Sequence, residues 1–214
     1  MALKALERKA RLEPARPEWQ RRLPVLRDAT AALRQLREAD ARSLTAHINH
    51  DSIGRFIATP PSTTEEFKRF IRWTHRQRRA GLHVCFGVVP AGMRDAIGVI
   101  QVWSFETSFA TAEWGFALSK SVWGTGLFPA AAGMVLDFAF TVLGVKRLEA
   151  RSVDGNGRGN TVLCKLGAVP EGRLRNDFRS GATVRDHIIW SILSEDWLES
   201  RRGAIRVHSG SMSE

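Results

Sequence analysis

The chain has 214 residues, 43% of them hydrophobic and 25% charged, with a formal net charge of +10 and a pI near 10.9. That length and mixture fit one compact domain with ragged ends and exclude a low-complexity or fibrous chain. The most apolar run, Leu127 to Val145, contains Pro129 and Asp137 and reads as a core helix, so no membrane span is expected.

The excess charge is arginine spread along the chain, and its field favours anionic partners such as nucleotide phosphates, ribosomal RNA or an acidic protein surface. Charge alone reads as an arginine-rich surface. Cys85 and Cys164 lie in apolar stretches without metal or disulfide spacing, which predicts core thiols in a reducing compartment. His47 and His50 can share a helix face, but no third ligand stands near them, so no metal is predicted. The N-terminus lacks an apolar signal core and carries Glu7, Glu13 and Glu18 among its arginines, which points to a cytoplasmic protein.

Residues 1–24 are charged and interrupted by Pro14, Pro17 and Pro24, and read as an arm outside the core. Residues 25–200 form the domain. Ala31 to Leu36 is the first predicted strand, and Glu38 to His50 a helix with Ala41, Leu44 and Ile48 on one face. Thr63-Thr64-Glu65-Glu66 is a capping box that starts a helix running to about Ala80, stopped by Gly81. Strands follow at 82–89, 96–103 and 112–118. A helix over 129–143 ends at Gly144, and a strand covers 146–153. Asp154-Gly155-Asn156-Gly157-Arg158-Gly159 is a glycine-rich turn into a helix over 160–166. Two strands, 168–175 and 184–193, close the domain, and 201–214 reads as a flexible tail. The order βααβββαβαββ describes a mixed α/β sheet, mostly antiparallel, with flanking helices and two glycine turns at the carboxyl ends of neighbouring strands, where open α/β sheets bind ligands.

The first of those turns is Trp123-Gly124-Thr125-Gly126-Leu127-Phe128. Two glycines two apart allow a tight turn and close approach of a ligand. Pro129 suits a helix start. Free N–H groups there, with the partial positive charge of the helix end, suit a phosphate or pyrophosphate. The loop is neither a Walker loop, since no Gly-Lys-Ser/Thr ends it, nor a dinucleotide fingerprint, since Pro129 stands where the third glycine belongs.

The order of elements and these motifs together resemble the GNAT superfamily of acetyl-CoA-dependent N-acetyltransferases, the RimJ/RimL type in particular, over residues 31–198. Leu33 to Asp40 is similar to the family's opening strand and turn, and Trp123 to Gly126 to its pyrophosphate loop. Asn156 stands eleven residues before Gly167, the family's spacing. Glu171 to Arg175, Gly181 and Asp186 are similar to its closing hairpin. The resemblance implies the acyl-CoA N-acyltransferase fold, whose central strands splay apart, one of them being 112–118. It implies acetyl-CoA as co-substrate, its pantetheine arm along the backbone of Phe116, Ala117 and Leu118. The pyrophosphate would lie on Trp123, Gly124, Thr125, Gly126, Leu127 and Phe128, with Asn156 hydrogen-bonded to the coenzyme. From the residues alone Asn156 reads equally as a helix cap.

The implied chemistry is attack of an amine on a thioester, the acceptor being a protein N-terminus or a small molecule. A base must take a proton from the amine, and a strand N–H would stabilise the developing oxyanion. Glu113 on the central strand is the candidate base, with a salt-bridged structural glutamate as its plain reading. Glu106 and Asp186 are weaker candidates. Association with the ribosome or an acidic surface, as monomer or homodimer, would fit. The chain departs from the family pattern in having no tyrosine, with Leu163 where relatives carry a catalytic one. Gly159 replaces a common serine, Trp123 a Gln or Arg, Phe128 a small residue and Ala130 a common glutamate. These departures keep open a coenzyme-binding protein without catalysis, and the charge keeps open an RNA-associated protein.

Overall fold

The computed structural model describes residues 17–48, 61–104, 106 and 108–210, with 203–210 as backbone alone. Its centre is an eight-stranded sheet in the order β1-β2-β3-β4-β5-β6-β8-β7. The strands are β1 (Leu26–Arg27), β2 (Ala31–Gln35), β3 (His83–Pro90), β4 (Gly98–Trp103), β5 (Thr111–Leu118), β6 (Arg147–Val153), β7 (Val169–Ser180) and β8 (Thr183–Leu193). Each neighbouring pair is antiparallel except β5 and β6, which run parallel. A parallel pair needs a crossover, and it is supplied by α4 (Leu127–Phe138), whose last turn widens into a π-turn over Ala139–Leu143. Gly144 then ends the helix with φ 76°, a left-handed conformation that suits glycine.

Helices cover both faces. On one, Ala131, Ala132, Val135 and Leu136 of α4 bury against Phe86, Ile100, Trp114 and Leu148. On the other, α2 (Asp40–His47) and α3 (Thr64–Arg79) place Leu44, Phe67 and Ile71 against Cys85, Val99 and Ala117. The capping box at the start of α3 forms as the sequence predicts: Thr63 Oγ1 accepts the Glu66 N–H and Glu66 Oε2 accepts the Thr63 N–H, both at 3.2 Å. The second layer covers only the β2–β5 half of its face. Beyond β5 that face carries Glu149, Arg151, Ser191 and His187 together with Val153 and Ile189.

Both ends of the chain depart from the sequence reading. Of the segment read as an arm outside the core, 17–24 is described, and Trp19 and Leu23 are buried in the main core. Trp19, in the short helix α1 (Glu18–Arg21), packs edge-on against Phe109 at 5.6 Å. Arg78 donates to the carbonyls of Trp19 and Gln20 at 3.0 and 2.7 Å. The prolines and charges signal an irregular segment, but not the two large apolar side chains that anchor it. At the other end, α6 runs Ser194–Gly210, continuing ten residues beyond the boundary at 200. Asp137 of α4 accepts from Trp197 Nε1 at 2.8 Å and from Arg201 at 2.6 Å, holding α6 onto the domain. The helix 160–166 begins earlier too, as α5 (Gly157–Lys165). Its buried residues are Gly159 and Leu163, so Cys164 is exposed rather than a core thiol.

One buried ion pair ties β2 to α2. Arg34 donates twice to Asp40, at 2.8 and 2.7 Å, and Asp40 also accepts the N–H groups of Arg37 and Ala96 at 2.7 and 3.1 Å. Burial alone would raise the Asp40 pKa, but the guanidinium and the two amides outweigh it and hold the carboxylate below its ordinary range. Removing one member of such a pair leaves a buried charge unmatched, at a cost of about 3–5 kcal/mol. Asp40→Ala is therefore expected to lower the urea midpoint sharply, and an unchanged midpoint would refute this account. Because the folded pKa is depressed, the wild-type contribution is present above the unfolded carboxylate's pKa and is lost as pH falls through the folded one.

Candidate active site at the splay of two central strands

Strands β5 and β6 pair over only three positions, Thr111 with Arg147, Ala112 with Leu148 and Glu113 with Glu149. Beyond Glu113 they diverge, so Trp114 to Leu118 and Ala150 to Val153 flank a wedge that opens toward their carboxyl ends. On its other side β5 stays paired with β4 to Leu118, and the ladder is extended by the Ser119 N–H donating to the Ile97 carbonyl at 3.0 Å. Antiparallel ladders alternate, so this bond commits the backbone of Ala117 to β4 and turns that of Phe116 and Leu118 toward the wedge. Of the three residues picked out from the sequence, two therefore face the gap with their main chain. The Leu118 carbonyl already accepts the Trp123 indole N–H at 3.2 Å.

The loop after β5 lies at the mouth of the wedge. Gly124 and Gly126 have φ of 79° and 84°, and a Cβ added at either would meet nothing within 4 Å, so the space above the loop is open. Gly126 caps α4, and Pro129 is the third helical residue. The amides of Leu127 and Phe128 consequently have no carbonyl partner within the helix. The Leu127 N–H makes a long contact of 3.4 Å to Thr125 Oγ1, which itself donates to the Val122 carbonyl at 2.9 Å. The Phe128 ring packs against Phe116 at 4.2 Å, tilted by 41°.

Facing this loop is the start of α5. Asn156 is its N-cap, Oδ1 accepting the Gly159 N–H at 3.0 Å. The Arg158 guanidinium lies 4.3 Å from the centre of the Trp123 ring, bridging the two glycine turns across the wedge. Leu163, which stands where the resemblance places a catalytic tyrosine, is 1% exposed, so no functional group at that point of α5 reaches the gap.

Glu113 stands at the apex of the wedge, on the face left open by α2 and α3. Its side chain is 19% exposed. Burial raises its pKa. Arg151, at 3.8 Å, opposes that shift, while Glu149 and Asp177 add to it and His187 reduces it. The other two candidates lie elsewhere. Glu106 is exposed in the β4–β5 connection. Asp186 is taken up by Arg173 at 3.2 Å and the Asn176 N–H at 2.9 Å.

The residues after Asp186 matter more than the sequence suggests. Directly paired residues share a face of a sheet and alternate residues return to it. Glu149, Arg151 and Val153 therefore lie with Glu113, and Val153 pairs with His187. His187 Nδ1 is 2.8 Å from Asp177 Oδ2, which also lies 3.6 Å from Arg151. Asp177 reaches that point because β7 has an irregularity between Leu174 and Phe178, where Asn176 takes φ 57°. The segment 176–183 is largely paired strand. Among the described residues no group of three His, Cys, Asp or Glu could hold a metal, and no helix is long and apolar enough to cross a membrane.

Residues 31–169 match the Acetyltransferase (GNAT) domain family. The chain belongs to this family. The GNAT domain here is 24% identical over 175 residues to the uncharacterized N-acetyltransferase YoaA of Bacillus subtilis, an alignment covering 79% of this chain and 97% of that one. It superposes on the ribosomal-protein-S5-alanine acetyltransferase of Vibrio fischeri with TM-score 0.73 at 20% identity, covering 81% of this chain and 98% of that one. Mycobacterium smegmatis RimJ, solved with CoA-disulfide, superposes with TM-score 0.69 at 22% identity, covering 78% and 83%. At those identities the two structures establish the GNAT fold, with its mixed, mostly antiparallel sheet.

Proposed function

We propose that this GNAT protein transfers acetyl from acetyl-CoA to a primary amine, a protein N-terminal α-amino group or a small-molecule amine, by direct attack with both substrates bound. The observation that carries the reading is the wedge: three paired positions between β5 and β6, then divergence with two glycine turns at its mouth. The wedge-facing main-chain groups of Phe116 and the N–H of Leu118 would bond the pantetheine amides as an added strand. The amides from Gly124 to Phe128 would take the pyrophosphate, with the Trp123–Arg158 pair beside it. The space above the two left-handed glycines suits that group. That the RimJ structure was solved with CoA-disulfide supports a CoA ligand here. Similarity to the S5-alanine enzyme supports a protein N-terminus as acceptor.

At the apex, Glu113 takes a proton from the attacking nitrogen. A thiolate is a good enough leaving group that the missing tyrosine does not bar the reaction. Thiol release from acetyl-CoA against a panel of peptides, polyamines and aminoglycosides tests the reading. Release with no member of the panel, in a protein that binds acetyl-CoA, would favour the second reading, a coenzyme-binding protein without catalysis. Leu163, buried where a tyrosine would act, speaks for that alternative.

The +10 charge raises RNA binding as a third use. Phosphate contacts release counterions, so true RNA binding weakens steeply as salt rises. Filter binding is expected to detect no affinity even at low salt. Salt-sensitive retention there would return RNA to consideration.

A further inference from the structure

The acetyl transfer proposed above leaves one proton without a carrier. An ammonium acceptor loses two N–H bonds as its N–C bond forms and the C–S bond breaks. One proton ends on sulfur and the other leaves to solvent. Glu113, at the closed end of the wedge, can carry the first from nitrogen to sulfur. With no tyrosine anywhere in the chain, the second needs another group.

We infer that His187, oriented by Asp177, is that group: it takes the second proton, the one bound for solvent, from the incoming ammonium on the open face of the sheet before the attack. This rests on the acetyltransferase reading and adds a residue to its site. The geometry has the parts a positioned imidazole base requires. Asp177 Oδ2 holds Nδ1 at 2.8 Å, which leaves Nε2 to face the acceptor. The Phe178 ring packs edge-on against the imidazole at 5.4 Å and fixes its plane. The side chain is 16% exposed, sheltered but with a path to water. The β7 irregularity and the left-handed Asn176 bring Asp177 opposite His187, out of the regular register.

The charged groups facing the imidazole are Asp177 from β7, Arg151 from β6 and, beyond it, Glu113 from β5. Arg151 lies between the two acids, 3.6 Å from Asp177 and 3.8 Å from Glu113, so the two proton carriers stay separate rather than merging into one carboxylate cluster. An incoming ammonium on this face would meet the imidazole first and the glutamate at the apex second.

The test compares wild type, His187→Gln and Asp177→Asn for acetyl-CoA affinity by calorimetry and for kcat/KM across pH with the best acceptor of the panel. His187→Gln is expected to bind acetyl-CoA as wild type does and to lose about 100-fold or more in kcat/KM, with the acidic limb of the profile displaced. Imidazole in the buffer should restore part of the rate to His187→Ala. Asp177→Asn keeps the ring but not its orientation, and is expected to lose less and to shift the same limb. Where His187→Gln fails to fold, Asp177→Asn decides. A wild-type rate and profile in the folded variants would overturn the inference while leaving the acetyltransferase reading intact. A wild type that acetylates nothing would overturn the reading itself.

Discussion

Glu113→Gln is expected to keep full affinity for acetyl-CoA and to lose about 100- to 10,000-fold in turnover, the range of a general base. The variant isolates proton transfer because amide and carboxylate have nearly the same shape. Arg151 keeps a second carboxylate partner, Asp177 at 3.6 Å. Stability separates this role from a structural one. Burial raises the Glu113 pKa, and the neighbouring Glu149 and Asp177 carboxylates add to the rise against Arg151 and His187. A carboxyl whose folded pKa lies above its unfolded value stabilises the fold only while protonated, and that contribution is lost as pH rises through the folded pKa. Once ionised, Glu113 therefore opposes folding, and above its folded pKa the glutamine variant should melt no lower than wild type. Lost activity with retained or raised stability is the signature of a functional residue in a costly place. The wild-type rate should climb with pH as Glu113 ionises and the acceptor loses its charge, whereas the variant should need a higher pH for a comparable rate. A folded Glu113→Gln that turns over like wild type at neutral pH would make Glu113 structural and leave His187, or water, as the base.

Gly126→Val is expected to abolish measurable acetyl-CoA binding in a protein that still folds. Gly126 sits at φ 84° as the cap of α4, a conformation β-branched residues avoid. Holding valine there would cost about 1–3 kcal/mol, a burden a domain of this size survives. The loop would relieve the strain by turning its amides away from their shared focus. Losing two hydrogen bonds to a charged phosphate, at about 1.5 kcal/mol each, weakens binding about 100-fold, since each 1.4 kcal/mol is a factor of ten. Displacement of further amides takes the affinity beyond calorimetric range. No atom lies within 4 Å of the added Cβ, so a lost affinity would not be explained by a clash inside the protein. Unchanged affinity in a folded Gly126→Val would show that the pyrophosphate does not rest on this loop.

Much of this protein follows from local rules. The capping box before α3, the apolar run of α4, the glycine stops at Gly81, Gly144 and Gly167, and the alternating strands all depend on side chains within a few residues of one another. They form where the sequence places them. The glycine loop is legible for the same reason, because a left-handed φ two residues apart is a local demand. Asn156 illustrates the limit: its cap on Gly159 is local and visible, while a partner across the wedge depends on where a second strand lies.

What tertiary structure decided is everything that rests on register between distant segments. Nothing near residue 113 says that β5 will leave β6 after three pairs. It shows only in the assembled sheet, where β6 pairs with β5 over three positions and with β8 along its whole length. Trp19 enters the core because Phe109 and Arg78 wait for it, and α6 is held because Asp137 faces Trp197 and Arg201. His187 gives no signal as a lone histidine in a strand. It becomes part of a site only when β7 takes four residues from Leu174 to Phe178 against two from His187 to Arg185 on β8, an irregularity that brings Asp177 to the imidazole. Propensity and periodicity act over one or two turns of chain. The wedge and the pair beside it are fixed by pairing across tens of residues, where burial of the two core clusters selects one register among many that local preference allows.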